Sequence, residues 1–277
     1  MNFFKLFPTI EVDLQKDGRV NSMVNTFRSV RPLQNFVDQP SLYTFYEIQN
    51  GERPDIVSQR LYGTSEYYWT FFVINEFLHD GYRAWPMSQE VAYDYIETEY
   101  KGTVITTNPK IERDQDGQIR EYTNSLAGEN RNYSAVDATR YRLNETITGG
   151  TSGATGKLVQ KNIDLNQLVI KDVTGTFVVG EDVDGSLSEA SVQAYQVYNY
   201  ADAPHHYYLI GDAEERYVTP RDFFQYTDTA ISSNNYTFKT NRQYIMDKNE
   251  ERSKIRVLQP QYIGQFVEEF ENLINEW

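Results

Sequence analysis

The stretch Tyr43–Trp85, Y-T-F-Y-E-I-Q-N-G-E-R-P-D-I-V-S-Q-R-L-Y-G-T-S-E-Y-Y-W-T-F-F-V-I-N-E-F-L-H-D-G-Y-R-A-W, decides how the front of this chain folds. Its first residues are β-branched and aromatic, and they stop at Asn50-Gly51, a strong turn signal. Pro54 then opens a short helix, where its missing N–H costs nothing. Ile56, Val57, Arg60 and Leu61 lie on one side of that helix, and Gly63 is placed to end it. A second helix is predicted from Glu66 to Asn75, with Trp69, Phe72 and Val73 inward.

The chain has 277 residues, enough for one large domain or two to three small ones. Aromatics make up 14%, with 22 Tyr and 15 Phe. Tyrosine suits half-wet interfaces and strand-rich structure alike. The net charge of −14 argues against wrapping nucleic acid or lying on an anionic membrane, both of which need a basic face, and favours basic protein partners. Cysteine is absent, which excludes disulfides, a thiolate nucleophile and Cys-type zinc sites, and fits assembly in a reducing cytoplasm. No apolar run reaches 18 residues, so no membrane insertion is expected, and the start M-N-F-F-K-L-F-P lacks the pattern of a signal peptide.

Outward from the opening stretch, residues 1–40 read as an arm with too little apolar content for a core of its own. Residues 41–101 form the strand–helix–helix unit together with a helix that Ser88 caps, its apolar side carrying Val91, Tyr95 and Ile96. Residues 102–146 and 194–258 read as β-rich. Between them, T-I-T-G-G-T-S-G-A-T-G looks like a linker, and evenly spaced short strands follow, so 147–193 reads as an inserted small β-barrel-like module. Lys254 and Arg256 alternate with Ile255 and Val257 in a strand with a basic side. Residues 259–277 form an amphipathic C-terminal helix, with Phe266, Phe270 and Trp277 on its apolar stripe. That stripe can cover the chain's own sheet or dock on another chain. The predicted class is α+β.

Catalytic or ligand-holding constellations are hard to find. The three histidines include His205-His206, predicted in a strand and therefore pointing to opposite faces, a poor arrangement for sharing a metal. Gly150–Lys157 resembles a phosphate loop, but its spacing is one residue too long and Leu158 stands where a hydroxyl is needed. Glu112-x-Asp114-x-Asp116-Gly117 resembles the start of a calcium loop, yet Thr123 replaces the bidentate glutamate. We therefore expect no enzyme, no cofactor and no metal.

Residues 41–86 resemble a lysin-motif (LysM) domain, a fold that usually binds peptidoglycan or chitin. The closing strand of a sugar-binding lysin motif is not recognisable in E-F-L-H-D-G-Y-R-A-W-P after Asn75, which puts glycan binding in doubt. The order of the pieces is more specific. A front F-P-T-I arm precedes Y-E-I-Q-N-G-E-R-P-D-I-V-S-Q-R-L-Y-G, then W-P-M-S-Q-E-V-A-Y, and finally N-E-E-R-S-K-I-R-V-L-Q-P-Q-Y-I-G-Q-F-V-E-E-F. Together they resemble the LysM-like baseplate wedge proteins of large contractile-tailed bacteriophages, best over residues 1–100 and 240–277. The resemblance implies a structural subunit of the virion, assembled in the host cytoplasm. It would join other baseplate wedge proteins and adjacent wedges, in six copies or a multiple, and help close the six-wedge ring around the hub. Large aromatics anchor interfaces, so Tyr68, Tyr82, Trp85, Phe266, Phe270 and Trp277 are the candidate contacts. Two other functions compete. One is a peptidoglycan-binding part of a phage lysin or tail adhesin. The other is a receptor-binding fibre or decoration protein that reads its target with the β insert.

Overall fold

The structure, a computed structural model, describes residues 3–16, 18–26, 39–107, 122–126, 129–133, 137–218 and 236–275. They fall into two units, residues 1–92 with 247–277 and residues 93–246.

The first unit begins with a 3-10 turn, Phe3–Leu6, and a hairpin of β1 (Thr9–Val12) and β2 (Asn21–Val24). Next come β3 (Tyr43–Glu47), α1 (Pro54–Tyr62), α2 (Trp69–Ile74) and α3 (Gln89–Glu99), the last running on into the second unit. The turn chemistry acts as predicted. Pro54 occupies the first turn of α1, and Gly63 ends it in the left-handed region at φ 73°, donating its N–H to Gln59 O. Ser88 Oγ accepts from Val91 N at 3.3 Å at the start of α3. The buried side of α3 carries Ala92 and Ile96, whereas Val91 and Tyr95 are exposed.

The second unit holds β4 (Thr103–Thr106), β5 (Tyr122–Leu126), β6 (Glu129–Tyr133), β7 (Thr146–Gly149), β8 (Thr155–Asn162) and β9 (Gln167–Thr174). It continues with β10 (Asp182–Gly185), β11 (Ser191–Gln193), β12 (Gln196–Asn199), β13 (Pro204–Leu209) and β14 (Tyr236–Thr240). The chain returns through α4 (Asn241–Ser253) to β15 (Lys254–Leu258) and α5 (Ile263–Asn275). Helices and strands thus mix as expected of an α+β chain.

In the first unit β15 pairs antiparallel with β3, from Tyr43↔Leu258 to Glu47↔Lys254. The strand that completes the opening strand–helix–helix unit therefore comes from far along the chain. Successive residues face opposite sides of this ribbon. Ile255 and Val257 enter a core with Val57, Phe71, Leu78 and Trp85. Tyr43 and Leu258 enter another with Trp69, Ile74 and the α5 residues Ile263, Phe266, Phe270 and Ile274. The α5 stripe thus covers the chain's own sheet. Leu6 is buried in the same cluster, and Phe3 lies 5.3 Å from the Trp69 ring, so the start of the arm is tied down.

In the second unit an antiparallel sheet runs β11-β10-β7-β8-β9-β4-β12. Its edge strands β11 and β12 are separated only by Ala194 and Tyr195, so the sheet must curl to bring its edges together. Ile105, Tyr141, Ile147, Leu158, Leu168, Ile170 and Val183 fill the inside. The sheet extends past the predicted module at 147–193, because β4 and β12 belong to it.

This sheet contains a repeat. Residues 145–155, E-T-I-T-G-G-T-S-G-A-T, match 181–191, E-D-V-D-G-S-L-S-E-A-S, at the glutamate, the apolar residue, the glycine, the serine and the alanine. Ile147 pairs with Gly185 and Gly149 with Val183, so β7 and β10 are related by a local two-fold axis. Each glutamate closes the other copy's turn. Glu145 accepts from Leu187 N (2.9 Å), Ser188 N (2.9 Å) and Ser188 Oγ (2.8 Å). Glu181 accepts from Thr151 N (3.1 Å), Ser152 N (2.8 Å), Ser152 Oγ (2.9 Å) and Val178 N (2.7 Å). A buried carboxylate is tolerable only with such donors. A Cβ on Gly149 would stand 2.6 Å from Glu181 Oε1, and one on Gly185 2.8 Å from Glu145 Oε2, so both glycines leave room for a carboxylate.

Candidate protein-binding surface

The aromatic surface of the first unit is organised from Glu52, the residue after the Asn50-Gly51 turn, which is 9% exposed. Its carboxylate accepts from Tyr46 OH (2.8 Å) and Gln49 N (3.1 Å) and pairs with Arg60 at 2.8 Å. Its carbonyl accepts from Trp85 Nε1 at 2.7 Å, which fixes the end of the opening stretch against its start. Trp85 is consequently buried. Its ring lies 6.1 Å from Phe71 and 5.7 Å from Phe72. Over that base Tyr82 stands 61% exposed, its ring 5.5 Å from Phe72 and 6.1 Å from Tyr68. Burial of part of the ring, with Tyr68 and Asp55 nearby, pushes the Tyr82 hydroxyl above its usual range, so it is a neutral donor and acceptor at physiological pH. Phe77 and Ile56 are further exposed apolar side chains of this unit.

The six predicted contact residues are thus distributed unevenly. Tyr82 is exposed and Tyr68 half-buried beside it. Trp85, Phe266 and Phe270 are core residues, with Phe270 4.7 Å from Trp69, because the ribbon needs cover on both faces. Trp277 lies outside the described residues.

Sequence reasoning missed Asn75, which is fully buried. Its Nδ2 donates to Phe71 O and Arg256 O, both at 2.9 Å, and its Oδ1 accepts from Arg256 N at 2.8 Å. The side chain therefore completes the outer edge of β15 as a neighbouring strand would. Tyr62 OH donates to Leu258 O at 3.1 Å on the same edge.

The second unit corrects one expectation. A register shift between Pro204 and His206 in β13 brings the two imidazoles together, Nδ1 to Nδ1 at 2.9 Å, rather than onto opposite faces. Burial, then His206 and Lys239, push His205 down to about 4, and the ring stacks 3.7 Å from Tyr244. Among the described residues no cluster of three or more His, Asp or Glu side chains could hold a metal. The phosphate-loop lookalike is the turn between β7 and β8, and its N–H groups at Thr151 and Ser152 are taken by Glu181. The calcium-loop lookalike lies outside the described residues. No described helix is long and apolar enough to cross a membrane.

The family model for base plate wedge protein 53 matches residues 2–147, more than half of the chain. The chain belongs to that family of phage tail baseplate proteins, which gives it a structural role in the baseplate. No curated protein matches it.

Proposed function

We propose that this protein joins other wedge proteins in the baseplate and helps close six wedges into a ring around the hub, present in six copies or a multiple. The observation that carries this reading is the family match over residues 2–147, which spans the aromatic surface around Tyr82. In this reading the lysin-motif-like unit grips polypeptide rather than glycan, with Tyr82 and Tyr68 as contacts and Trp277 as a further one. Trp85, Phe266 and Phe270 support the surface from within. Large half-wet aromatics on a rigid base are the residue types that dominate interface energies.

Mass spectrometry and immunogold labelling of purified baseplates test the reading. The protein is expected in the tail end of the particle, and Tyr82→Ala is expected to lower its incorporation about tenfold, the loss of one good contact at roughly 1.4 kcal/mol. Absence from purified baseplates, or retention of the purified chain on bacterial cell walls with a saturable affinity, overturns it.

A further inference from the structure

The two edges of the β3–β15 ribbon are treated differently. Residues 42, 44, 46 and 48 point their backbone groups at β15, as the bonds Ile48 N to Ser253 O (2.9 Å) and Gln259 N to Leu42 O (2.9 Å) establish. On the far side of β15, Asn75 takes both backbone groups of Arg256 and Tyr62 takes the Leu258 carbonyl. On the far side of β3 the two ends are closed locally: Tyr43 N donates to Pro40 O, and Gln49 Nε2 donates to Glu47 O at 2.9 Å. Between them Tyr43 C=O, Phe45 N–H, Phe45 C=O and Glu47 N–H have no strand beside them among the described residues, where β15 is the one strand paired with β3. Four alternating acceptors and donors in a row are the set that an added strand takes up.

The side chains mark the same place. Phe45 is 80% exposed, the highest exposure of any large apolar side chain described. It lies opposite Arg256, with Lys254 opposite Glu47 on the same face. Neither Arg256 nor Lys254 makes an ion pair with a described residue, and the Arg256 guanidinium lies 5.9 Å over the Tyr43 ring. An exposed edge carrying a bare aromatic is a liability that chains normally blunt.

We infer that the β3 edge at Tyr43–Glu47 binds an extended strand of a different baseplate chain, one with an apolar side chain beside Phe45 and an acidic one reaching Arg256 or Lys254. The inference rests on the proposed baseplate role and names the surface and partner chemistry within it. The backbone row selects a strand, Phe45 selects its apolar position, and Arg256 and Lys254 select its charge. A second copy of this chain is the less suitable occupant, because two chains that each carry a net charge of −14 repel one another.

Hydrogen–deuterium exchange at the Phe45 and Glu47 amides tests this directly, comparing the purified full chain with purified baseplates. At least hundredfold slowing in the baseplate is expected, with no slowing in the free chain. Supplying Phe45→Pro in trans during infection is the second arm. The proline removes an outward N–H and leaves the bonds to β15 intact, so the fold is kept, as circular dichroism would show. Incorporation is expected to fall at least tenfold, while Phe45→Ala, which keeps the backbone donor, falls less. Baseplates that contain the protein but leave both amides unprotected overturn the inference and spare the baseplate role. Protection that appears on concentrating the free chain overturns it in favour of self-pairing. A protein missing from baseplates overturns the baseplate role itself.

Discussion

Glu145 and Glu181 each sit in a nest of N–H and hydroxyl donors, most of them supplied by the other copy of one short motif and one by a neighbouring residue, Arg142 or Val178, at 1% and 3% exposure. For Glu181, burial alone would raise the carboxyl pKa, but the bonds from Ser152, Val178 and Thr151 outweigh it and hold the pKa below the usual value. A depressed carboxyl adds stability that is complete above the unfolded value near about 4.3 and is lost as pH falls through the folded one. Glu181→Gln should therefore weaken the second unit at pH 7 by about 2–3 kcal/mol, the scale of hydrogen bonds to a charged group, and flatten its acid unfolding below pH ~4. Urea titrations followed at several pH values check both. His205 titrates in a separate window. Its lowered pKa means that stability is full above about 6.5 and declines as pH drops from there toward 4. The wild-type urea midpoint should fall between pH 7 and pH 5, and that of His205→Gln should fall less. The motif was available in the sequence, since aligning 145–155 with 181–191 exposes it. Its glycines and serines imitate a linker in composition, and only the carboxylate contacts show why they are there.

Elements differ in how plainly their causes are written. In α1 and α3 the ends are specified by Pro54, Gly63 and Ser88, so local chemistry sufficed. The apolar period of α5 is equally legible, but not what it covers, because a stripe fits any apolar face. α4 went unseen. N-R-Q-Y-I-M-D-K-N-E-E-R-S carries no apolar stripe, and polar ties hold it instead: Asn241 Nδ2 to Tyr200 O at 2.8 Å, Arg242 to Asp202 and Glu97 at 3.1 and 3.0 Å, and Asn249 Nδ2 to Met87 O at 2.9 Å. Its start signal was nevertheless present. Gln243 N donates to Thr240 Oγ1 at 3.1 Å and Thr240 N to Gln243 Oε1 at 2.9 Å, a capping box spelt T-N-R-Q. The opening stretch could not name its own closing strand, because pairing of β3 with β15 leaves no trace in the local pattern of either. Asn75 tests how that closure is held. Asn75→Ala orphans Arg256 N–H and C=O inside the unit, and should cost about 2–4 kcal/mol in urea unfolding, whereas Thr44→Ala on the same ribbon should cost under about 1.

At the scale of the whole molecule, the first unit is assembled from both ends of the chain and the second is one continuous span, residues 93–246. The crossings fall inside α3 and α4, and within the first unit α4 is tied to the segment that leads into α3: Met87 N donates to Asn249 Oδ1 at 2.7 Å, and Asn249 Nδ2 donates back to Met87 O. The cut ends after Ala92 and before Asp247 are then only a few helical residues from that tie, a gap of about 15 Å at most by helix rise. A flexible linker of about eight residues covers it. The β3–β15 ribbon, both of its cores and the Tyr82 surface all survive the excision. A chain lacking residues 93–246, joined by such a linker, should therefore fold and unfold cooperatively in urea. Phe270→Ala should weaken it by about 3–5 kcal/mol, as in the full chain, because the cavity left beside Trp69 is the same in both. Circular dichroism and the two urea midpoints decide it. If the excised chain stays unfolded while the full chain is cooperative, the first unit depends on the second for its stability.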